Sequence, residues 1–209
     1  MTSPLQGREP RGYSVSESTT AYTGAIFQVR QDKVSFPDGT SATRDVVSHD
    51  GAVAIVPIDE DGNVVLLEQY RHSVAEMLWE VPAGLLDVPG EHALDAAKRE
   101  LAEEAGLQAA QWHTLIDLVS APGFCDERVR VFLARGLSHA ERPDGFVLEH
   151  EEADAELHRV PLSDALAAVH AGQIVNSLAV GALLATGRAL ANEDLLRPAD
   201  LAWPGAAKR

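Results

Sequence analysis

The sequence predicts an α/β fold in which helices pack on a mixed β-sheet, preceded by an antiparallel β arm. Two observations support this prediction. Strand-like runs of apolar residues dominate residues 13–160, and three further segments carry apolar residues at helical spacing. The chain has 209 residues, which fits one domain with a moderate accessory part and is enough to bury a sizeable core.

The N-terminal part is predicted to contain no domain core of its own. Residues 1–12 are polar with two prolines and two glycines, which favours a disordered lead. Residues 13–49 form the predicted β arm, in which the run AIFQVRQDKVSF reaches the turn signal Pro37-Asp38-Gly39 and TRDVVSH continues beyond it. An arm of this size is too small to be stable without further packing.

Residues 50–197 are predicted to form the main domain. A hairpin joins AVAIVPI to NVVLLEQY through residues 59–62, and three more strand candidates follow the central helix: WHTLIDLVS, VRVFLARGL and ADAELHRV. Ser163-Asp164 predicts a helix N-cap before ALAAVHAG, and a final helix is predicted from Asn176 to about Leu190. Residues 198–209 are predicted to be an irregular tail.

Composition excludes several classes of function. The net charge of -15 argues against nucleic acid as a partner, although metal ions could still let an acidic enzyme handle phosphates. The single cysteine, Cys125, excludes an intrachain disulfide framework. The sequence contains no apolar run near the roughly 20 residues of a membrane span, and its N-terminus lacks the apolar core of a signal peptide. We therefore expect a cytoplasmic protein with no membrane partner.

The most informative segment is residues 84–107, GLLDVPGEHALDAAKRELAEEAGL. The spacing predicts a helix from about His92 to Ala105, with Gly106 in the left-handed position that ends helices. Its core stripe consists of apolar residues on one face: Leu94, Ala97, Leu101 and Ala105.

Glu100 and Glu104 lie four residues apart beside this stripe, so their carboxylates stack one turn above each other. Like charges at this spacing repel, and a hard cation with oxygen ligands, such as Mg²⁺, would turn that repulsion into binding. The alternative is a solvated acidic helix face. Three glutamates in five positions, Arg99 beside them and the glycine-rich entry favour the metal site.

At these residues the sequence resembles the Nudix box, G-x5-E-x7-R-E-U-x-E-E-x-G-U, with U an aliphatic residue. Glu91 and the run Arg99 to Leu107 match it position by position. Gly84 departs from it, because six residues rather than five separate it from Glu91. The turn-forming pair Pro89-Gly90 can absorb this extra residue before the helix.

The resemblance implies a Nudix α/β/α sandwich and a metal-dependent hydrolase. It implies that Mg²⁺, or alternatively Mn²⁺, binds Glu100, Glu104 and the main-chain oxygen of Ala83. Arg99 would orient the glutamates of the box through charge-assisted hydrogen bonds. Glu103 remains open: it could bind a further metal ion, act as the base, or only pair with Arg99.

Other residues resemble the ADP-ribose pyrophosphatase branch of this family. Arg71 closes a strand a dozen residues before the box, and Glu80 opens a motif of the form E-x-P-A-G. The resemblance implies substrate contacts for both, for Leu85 in the box, and for Pro122 and Gly123 around the terminal ribose. Without this context, Arg71 fits an ordinary surface ion pair and Pro122 an ordinary turn.

A late acidic segment, His150 to Asp154, matches a loop that tends to supply the base in this branch. Glu152 is therefore predicted as the general base and as a further metal ligand. Glu151 is the less favoured alternative within the loop, and Glu103 is the alternative outside it. A solvated acidic loop is the ordinary interpretation of such a run, and the match to the branch outweighs it.

The predicted reaction is hydrolysis of ADP-ribose to AMP and ribose 5-phosphate. Other nucleoside diphosphate sugars, such as ADP-glucose or GDP-mannose, are the nearest alternative substrates. A non-catalytic ADP-ribose sensor is less favoured, because the box glutamates are all present and no DNA-binding segment is visible. In resembling enzymes the arm crosses to a second subunit, which implies a homodimer in which Arg44 contributes to the partner's adenine site.

Overall fold

The computed structural model describes residues 10–143 and 154–203. Two compact units are present. The first comprises the arm up to residue 50 together with residues 121–127, and the second comprises residues 51–120 and the chain from residue 128 onward. The predicted disordered lead lies outside the described residues except for residues 10–12.

The first unit is built on a three-stranded antiparallel sheet of β1 (Ser14–Thr23), β2 (Phe27–Ser35) and β3 (Ser41–His49). The strands β2 and β3 run in unbroken register to a tight turn, where Gly39 has a φ of 85°. Positive φ at this position suits glycine, because it has no Cβ. The predicted N-terminal antiparallel arm is confirmed.

A loop from later in the chain completes this unit. The main chain of Val47 in β3 accepts a hydrogen bond from Asp126 and donates one to Phe124. The Asp126 carboxylate also accepts hydrogen bonds from Arg30, at 2.8 Å, and from the His49 amide, at 3.0 Å. Residues 121–127 are thus fixed to the strands of the arm.

The second unit contains a mixed sheet in the order β10-β5-β4-β9-β8-β11. Among the strands that the structure describes in this sheet, only β4 and β9 pair in parallel. The strand β6 extends the sheet from β5, and β7 extends it from β4. The strands are β4 (Ala52–Ile58), β5 (Asn63–Arg71), β6 (Glu76–Glu80), β7 (Ala83–Leu85), β8 (Leu107–Val119), β9 (Arg128–His139), β10 (Glu156–Pro161) and β11 (Arg197–Pro198).

Every residue of the central strand β4 is buried, because the sheet is covered on both faces. Val53 and Ile55 pack into one core together with α1 (Ala93–Ala105). The alternate residues of β4 pack into a second core with α2 (Leu162–His170) and α3 (Ser177–Leu190). The result is the predicted α/β/α sandwich, with α1 on one face of the sheet and α2 and α3 on the other.

The helix predictions differ in accuracy. The core stripe of α1 and its Gly106 end are confirmed, since Ala97 and Leu101 are fully buried and Gly106 has a φ of 62°. Asn176 is the N-cap of α3, and its side chain accepts a hydrogen bond from the Ala179 amide at 3.0 Å. The N-cap predicted at Ser163-Asp164 is wrong: α2 begins at Leu162, and the Ser163 hydroxyl bonds Asp164 instead of the helix amides.

The chain after α3 returns to the sheet. A short 3-10 helix, Glu193–Leu195, leads into β11, which pairs with β8 and includes Pro198. The Arg130 side chain, bound to Asp117 at 2.8 Å, donates to the Leu201 carbonyl and lies 4.9 Å from the Trp203 ring centre. The predicted irregular tail is therefore anchored through residue 203. In the described ranges, none of the helices has the length and apolar character needed to cross a bilayer.

Candidate active site

The carboxylates of the candidate site lie on α1, which is fixed by its apolar face. Ala96, Ala97 and Leu101 are fully buried against the sheet. This packing leaves Glu100 and Glu103 only 9% exposed although both are acidic. Burial of carboxylates is costly unless they are paired or hydrogen-bonded, so their partners decide how the site works.

Arg99 is the common partner of three glutamates. Its guanidinium donates to Glu100 at 2.6 Å and to Glu103 at 2.9 Å. It also contacts both carboxylate oxygens of Glu91, at 3.1 and 3.0 Å. The hydrogen bonds to Glu91, above all, raise the pKa of Arg99, which therefore remains charged.

The role of Glu91 was not assigned from the sequence, although the residue belongs to the box motif. It lies immediately before the N-cap of α1, and its side chain reaches Arg99 across eight positions. A bidentate carboxylate–arginine pair fixes orientation as well as distance. Glu91 thus holds the guanidinium that in turn holds Glu100 and Glu103.

The strand β7 brings a main-chain segment against the same carboxylates. The Ala83 amide donates to Glu104 at 2.9 Å. A Cβ built on Gly84 would lie 1.9 Å from the carboxyl carbon of Glu100. A side chain at position 84 would push this carboxylate aside, so glycine lets β7 lie against Glu100 where it stands. The main chain of residues 83–84 thus lies next to both Glu100 and Glu104.

Burial changes the acidity of Glu100. Loss of solvation raises the pKa of Glu100 to about 7, with the nearby Glu103 charge adding to the rise and the Arg99 charge opposing it. In the metal-free protein the Glu100 carboxyl group is therefore partly protonated near neutral pH. A cation bound beside Glu100 would stabilise the charged form of this carboxyl group.

A second cluster joins β5, β6 and α3. The Arg71 guanidinium binds both oxygens of Glu80, at 2.8 and 2.5 Å. Glu80 is 5% exposed, whereas the Arg71 side chain is 47% exposed. The Asn176 side-chain amide donates to the same Glu80 carboxylate at 3.0 Å. Asn176 was predicted only as a helix start, and no local sequence pattern connects it to Glu80.

The remaining predicted residues lie elsewhere. Leu85 is half-buried in β7, where it pairs with Ala52. Arg44 is exposed in the first unit and its guanidinium lies 5.4 Å from the Phe36 ring centre. Pro122 and Gly123 are exposed in the loop of that unit. Glu152 and its neighbour Glu151 lie outside the described residues.

A further group of possible metal ligands lies on the sheet away from α1. Glu68, Glu156 and His158 have ligand atoms within 4.8 Å of one another. Glu156 pairs directly with Glu68 across β10 and β5, and His158 lies two residues on, so the three side chains share one face. This group is separate from the helix glutamates that the sequence indicated.

Comparison with known proteins identifies the family of this chain. The NUDIX domain matches residues 48–178. The chain belongs to the Nudix family. An ADP-ribose pyrophosphatase of Mycobacterium tuberculosis is 48% identical over 191 residues, which cover 91% of both chains.

Two other relatives show how far the similarity extends. An ADP-ribose pyrophosphatase of Bacillus subtilis is 32% identical over 78% of this chain and 89% of its own. A methanol dehydrogenase activator of Bacillus methanolicus is 34% identical over 76% of this chain and 84% of its own. The crystal structure of an ADP compounds hydrolase matches 90% of this chain and 98% of its own, with a TM-score of 0.75 and 23% identity. That likeness establishes the shared Nudix fold.

The donors on α1 and β7 fit a hard divalent cation. Glu100 and Glu104 supply carboxylate oxygens one helical turn apart, and the Ala83 main chain lies against Glu104. The raised pKa of Glu100 reflects loss of solvation first and the nearby Glu103 charge second, and a bound cation would oppose both. All of these donors are oxygen atoms, which suit a hard cation better than a soft one.

Gly84→Ala is expected to damage the site more than the fold. The new Cβ would overlap the flexible end of Glu100, so the carboxylate can move away while the core of α1 stays packed. Mg²⁺ affinity, measured by calorimetry, should fall about 10–100-fold, with the thermal midpoint little changed.

Gly181→Ala on α3 is the matched control, because its Cβ would meet Leu118 at an ordinary 3.5 Å. This variant should keep the parent Mg²⁺ affinity. Unchanged affinity in Gly84→Ala would show that Glu100 does not need its place against β7.

The metal-free protein is expected to lose stability as the pH rises from about 4.5 to 7. The pKa of Glu100 is about 7 in the folded chain against an ordinary 4.5, so the folded state holds a proton that the unfolded state has released. Urea unfolding in EDTA across this window should show the decline, and Glu100→Gln should lack the part due to this group. The assignment would be contradicted if the free energy of unfolding of the wild type rose, relative to that of Glu100→Gln, as the pH increased across this window.

Proposed function

We propose that this Nudix protein hydrolyses ADP-ribose to AMP and ribose 5-phosphate with Mg²⁺ as cofactor. The observation that carries the proposal is that β7 lies against two carboxylates of α1, with the Ala83 amide bonded to Glu104 and Gly84 in close approach to Glu100. The relatives named as ADP-ribose pyrophosphatases, one of them 48% identical over 91% of this chain, support the choice of substrate.

In this proposal Glu100, Glu104 and the Ala83 carbonyl oxygen hold the cation. When bound, Mg²⁺ would neutralise diphosphate charge and help to activate a water molecule. Arg99 keeps Glu100 and Glu103 in fixed orientations, and its own position is held by Glu91. The cation would supply local positive charge in a protein of net charge -15, whose diphosphate substrate is itself anionic.

The residues outside the box would recognise the substrate. Arg71 is proposed to contact the diphosphate, because its guanidinium is half-exposed. Both carboxylate oxygens of the buried Glu80 accept hydrogen bonds from this guanidinium and fix its plane. Glu80 itself is buried, so its contribution is made through Arg71. Leu85, Pro122 and Gly123 remain predicted contacts of the sugar or base.

Hydrolysis adds a water oxygen to one phosphorus atom and breaks that atom's bond to the bridging oxygen. The water proton must go to a base, and Glu152 is proposed for this role, with Glu103 as the alternative. The bridging oxygen leaves on the other phosphate, which completes AMP and ribose 5-phosphate. Glu152 is proposed as well to share in binding the cation.

Steady-state hydrolysis of a substrate panel tests the proposed function. The purified protein with Mg²⁺ would be assayed against ADP-ribose, ADP-glucose, GDP-mannose and NADH. We expect ADP-ribose to have the highest kcat/KM, and Glu104→Gln to lose nearly all turnover while remaining folded by circular dichroism. If kcat/KM were highest for another nucleotide sugar, that compound would replace ADP-ribose as the proposed substrate. A fully active Glu104→Gln enzyme would show that Glu104 is not part of the site.

The base is tested by paired substitutions in the acidic loop. Glu152→Gln should lower kcat by about 10²–10⁴-fold, because a positioned base contributes that much, and should leave KM largely unchanged. Glu151→Gln is the matched control and should have a much smaller effect. Small and equal effects of the two substitutions would indicate that Glu103, and not Glu152, is the base.

We further propose a cytoplasmic homodimer formed through the β arm. Large apolar side chains of the arm are more than one-third exposed: Tyr13, Val15, Tyr22, Ile26 and Phe27. Burying such side chains against a second copy would be favourable, and twofold dimers are the commonest oligomers. Arg44 is proposed to contribute to the partner's adenine site.

Sedimentation velocity at assay concentrations should give a dimer, and Tyr22→Glu should shift it toward monomer with a loss of activity. Tyr22 is 57% exposed in the arm. Val88→Glu is the control, because Val88 is similarly exposed, at 48%, in a loop of the second unit. A fully active monomer would contradict the proposal.

A further inference from the structure

The cluster around Glu80 contains a residue that no sequence motif marks. The Glu80 carboxylate, 5% exposed, accepts hydrogen bonds from two other elements of the second unit. Arg71 of β5 uses both oxygens, and Asn176, the N-cap of α3, donates to Oε1 at 3.0 Å. The same oxygen, Oε1, therefore receives one bond from each partner.

The orientation of the Asn176 side chain is determined by the helix it caps. Its Oδ1 accepts a hydrogen bond from the Ala179 amide at 3.0 Å. An asparagine amide has one oxygen and one nitrogen, so the nitrogen must face away from the helix terminus, toward Glu80. The cap and the Glu80 contact are thus made by opposite ends of one rigid amide group.

This contact bears on how precisely Arg71 is held. A free arginine side chain has about 2 kcal/mol of rotamer entropy. A bidentate partner restricts the rotamers beforehand, so less entropy is lost when the arginine binds substrate. The partner can do so only if its own carboxylate plane is fixed. In Glu80 that plane is fixed by burial and by the bond from Asn176, which adds a contact from outside the β5–β6 hairpin.

We propose that Asn176 is a positioning residue for substrate binding, acting through Glu80 on the Arg71 guanidinium. The inference rests on the proposed contact between Arg71 and the diphosphate. The side-chain hydrogen bonds described for Asn176 join it to Glu80 and to the Ala179 amide, not to the glutamates of α1. Its removal should therefore weaken ground-state binding rather than the chemical step.

Two substitutions separate positioning from helix capping. Asn176→Ser keeps an N-cap oxygen but loses the amide donor, whereas Asn176→Ala loses both. We expect both variants to raise KM for ADP-ribose about tenfold, the order expected for one hydrogen bond to a charged group, with kcat changed less than about twofold. Asn176→Ala should have a thermal midpoint about 2–4 °C below that of Asn176→Ser, because it alone also loses the helix cap.

Asn192→Ser is the matched control, since Asn192 caps the short 3-10 helix Glu193–Leu195 through its side chain. This variant should keep the parent KM. In an Arg71→Ala background, Asn176→Ser should cause no further rise in KM, because the group it positions is gone.

Calorimetric titration of ADP-ribose into Glu104→Gln protein provides a readout that does not depend on turnover. Asn176→Ser in that background should weaken ADP-ribose binding by the same factor as KM. A parent-like KM for Asn176→Ser, a loss confined to kcat, or an undiminished effect without Arg71 would each overturn the inference. Absence of ADP-ribose hydrolysis by the parent protein would instead overturn the proposed function, and absence of ADP-ribose binding would overturn both.

Discussion

The site depends on the pairing of one arginine with three buried or half-buried glutamates of the same short segment. Without Arg99, the charges of Glu91, Glu100 and Glu103 would repel one another in a place with little solvent. With it, the helix can present carboxylates along one side while its apolar side packs on the sheet. The protein thus keeps enough negative charge for a cation without losing the helix.

Much of this arrangement was predictable because it is local. The positions of Arg99, Glu100 and Glu104 follow from helical spacing, and Gly106 follows from the backbone conformation that ends α1. Gly84 is different: the sequence showed its position in the motif, but not why a glycine lies there. Only the structure shows that β7 approaches Glu100 so closely that a side chain would collide with it.

Contacts between distant segments could not be predicted from the sequence. Asn176 and Glu80 are 96 positions apart, and a cap asparagine gives no sign of which group its second atom will meet. The error at α2 has a local cause, because Ser163 and Asp164 bond each other and leave the helix to begin at Leu162. The Glu68, Glu156 and His158 group arises from strand pairing, which no single segment encodes.

The extra residue in the box loop has a consequence for how this motif can vary among proteins. Residues 87–90 are exposed, and Gly90 has a φ of 80° with open space beside its Cα. The two ends of the loop are held independently, by the contact of Ala83 with Glu104 and of Glu91 with Arg99. Natural selection can therefore lengthen or shorten this turn at little cost, and searches that insist on a fixed glycine-to-glutamate distance will miss functional members of the family.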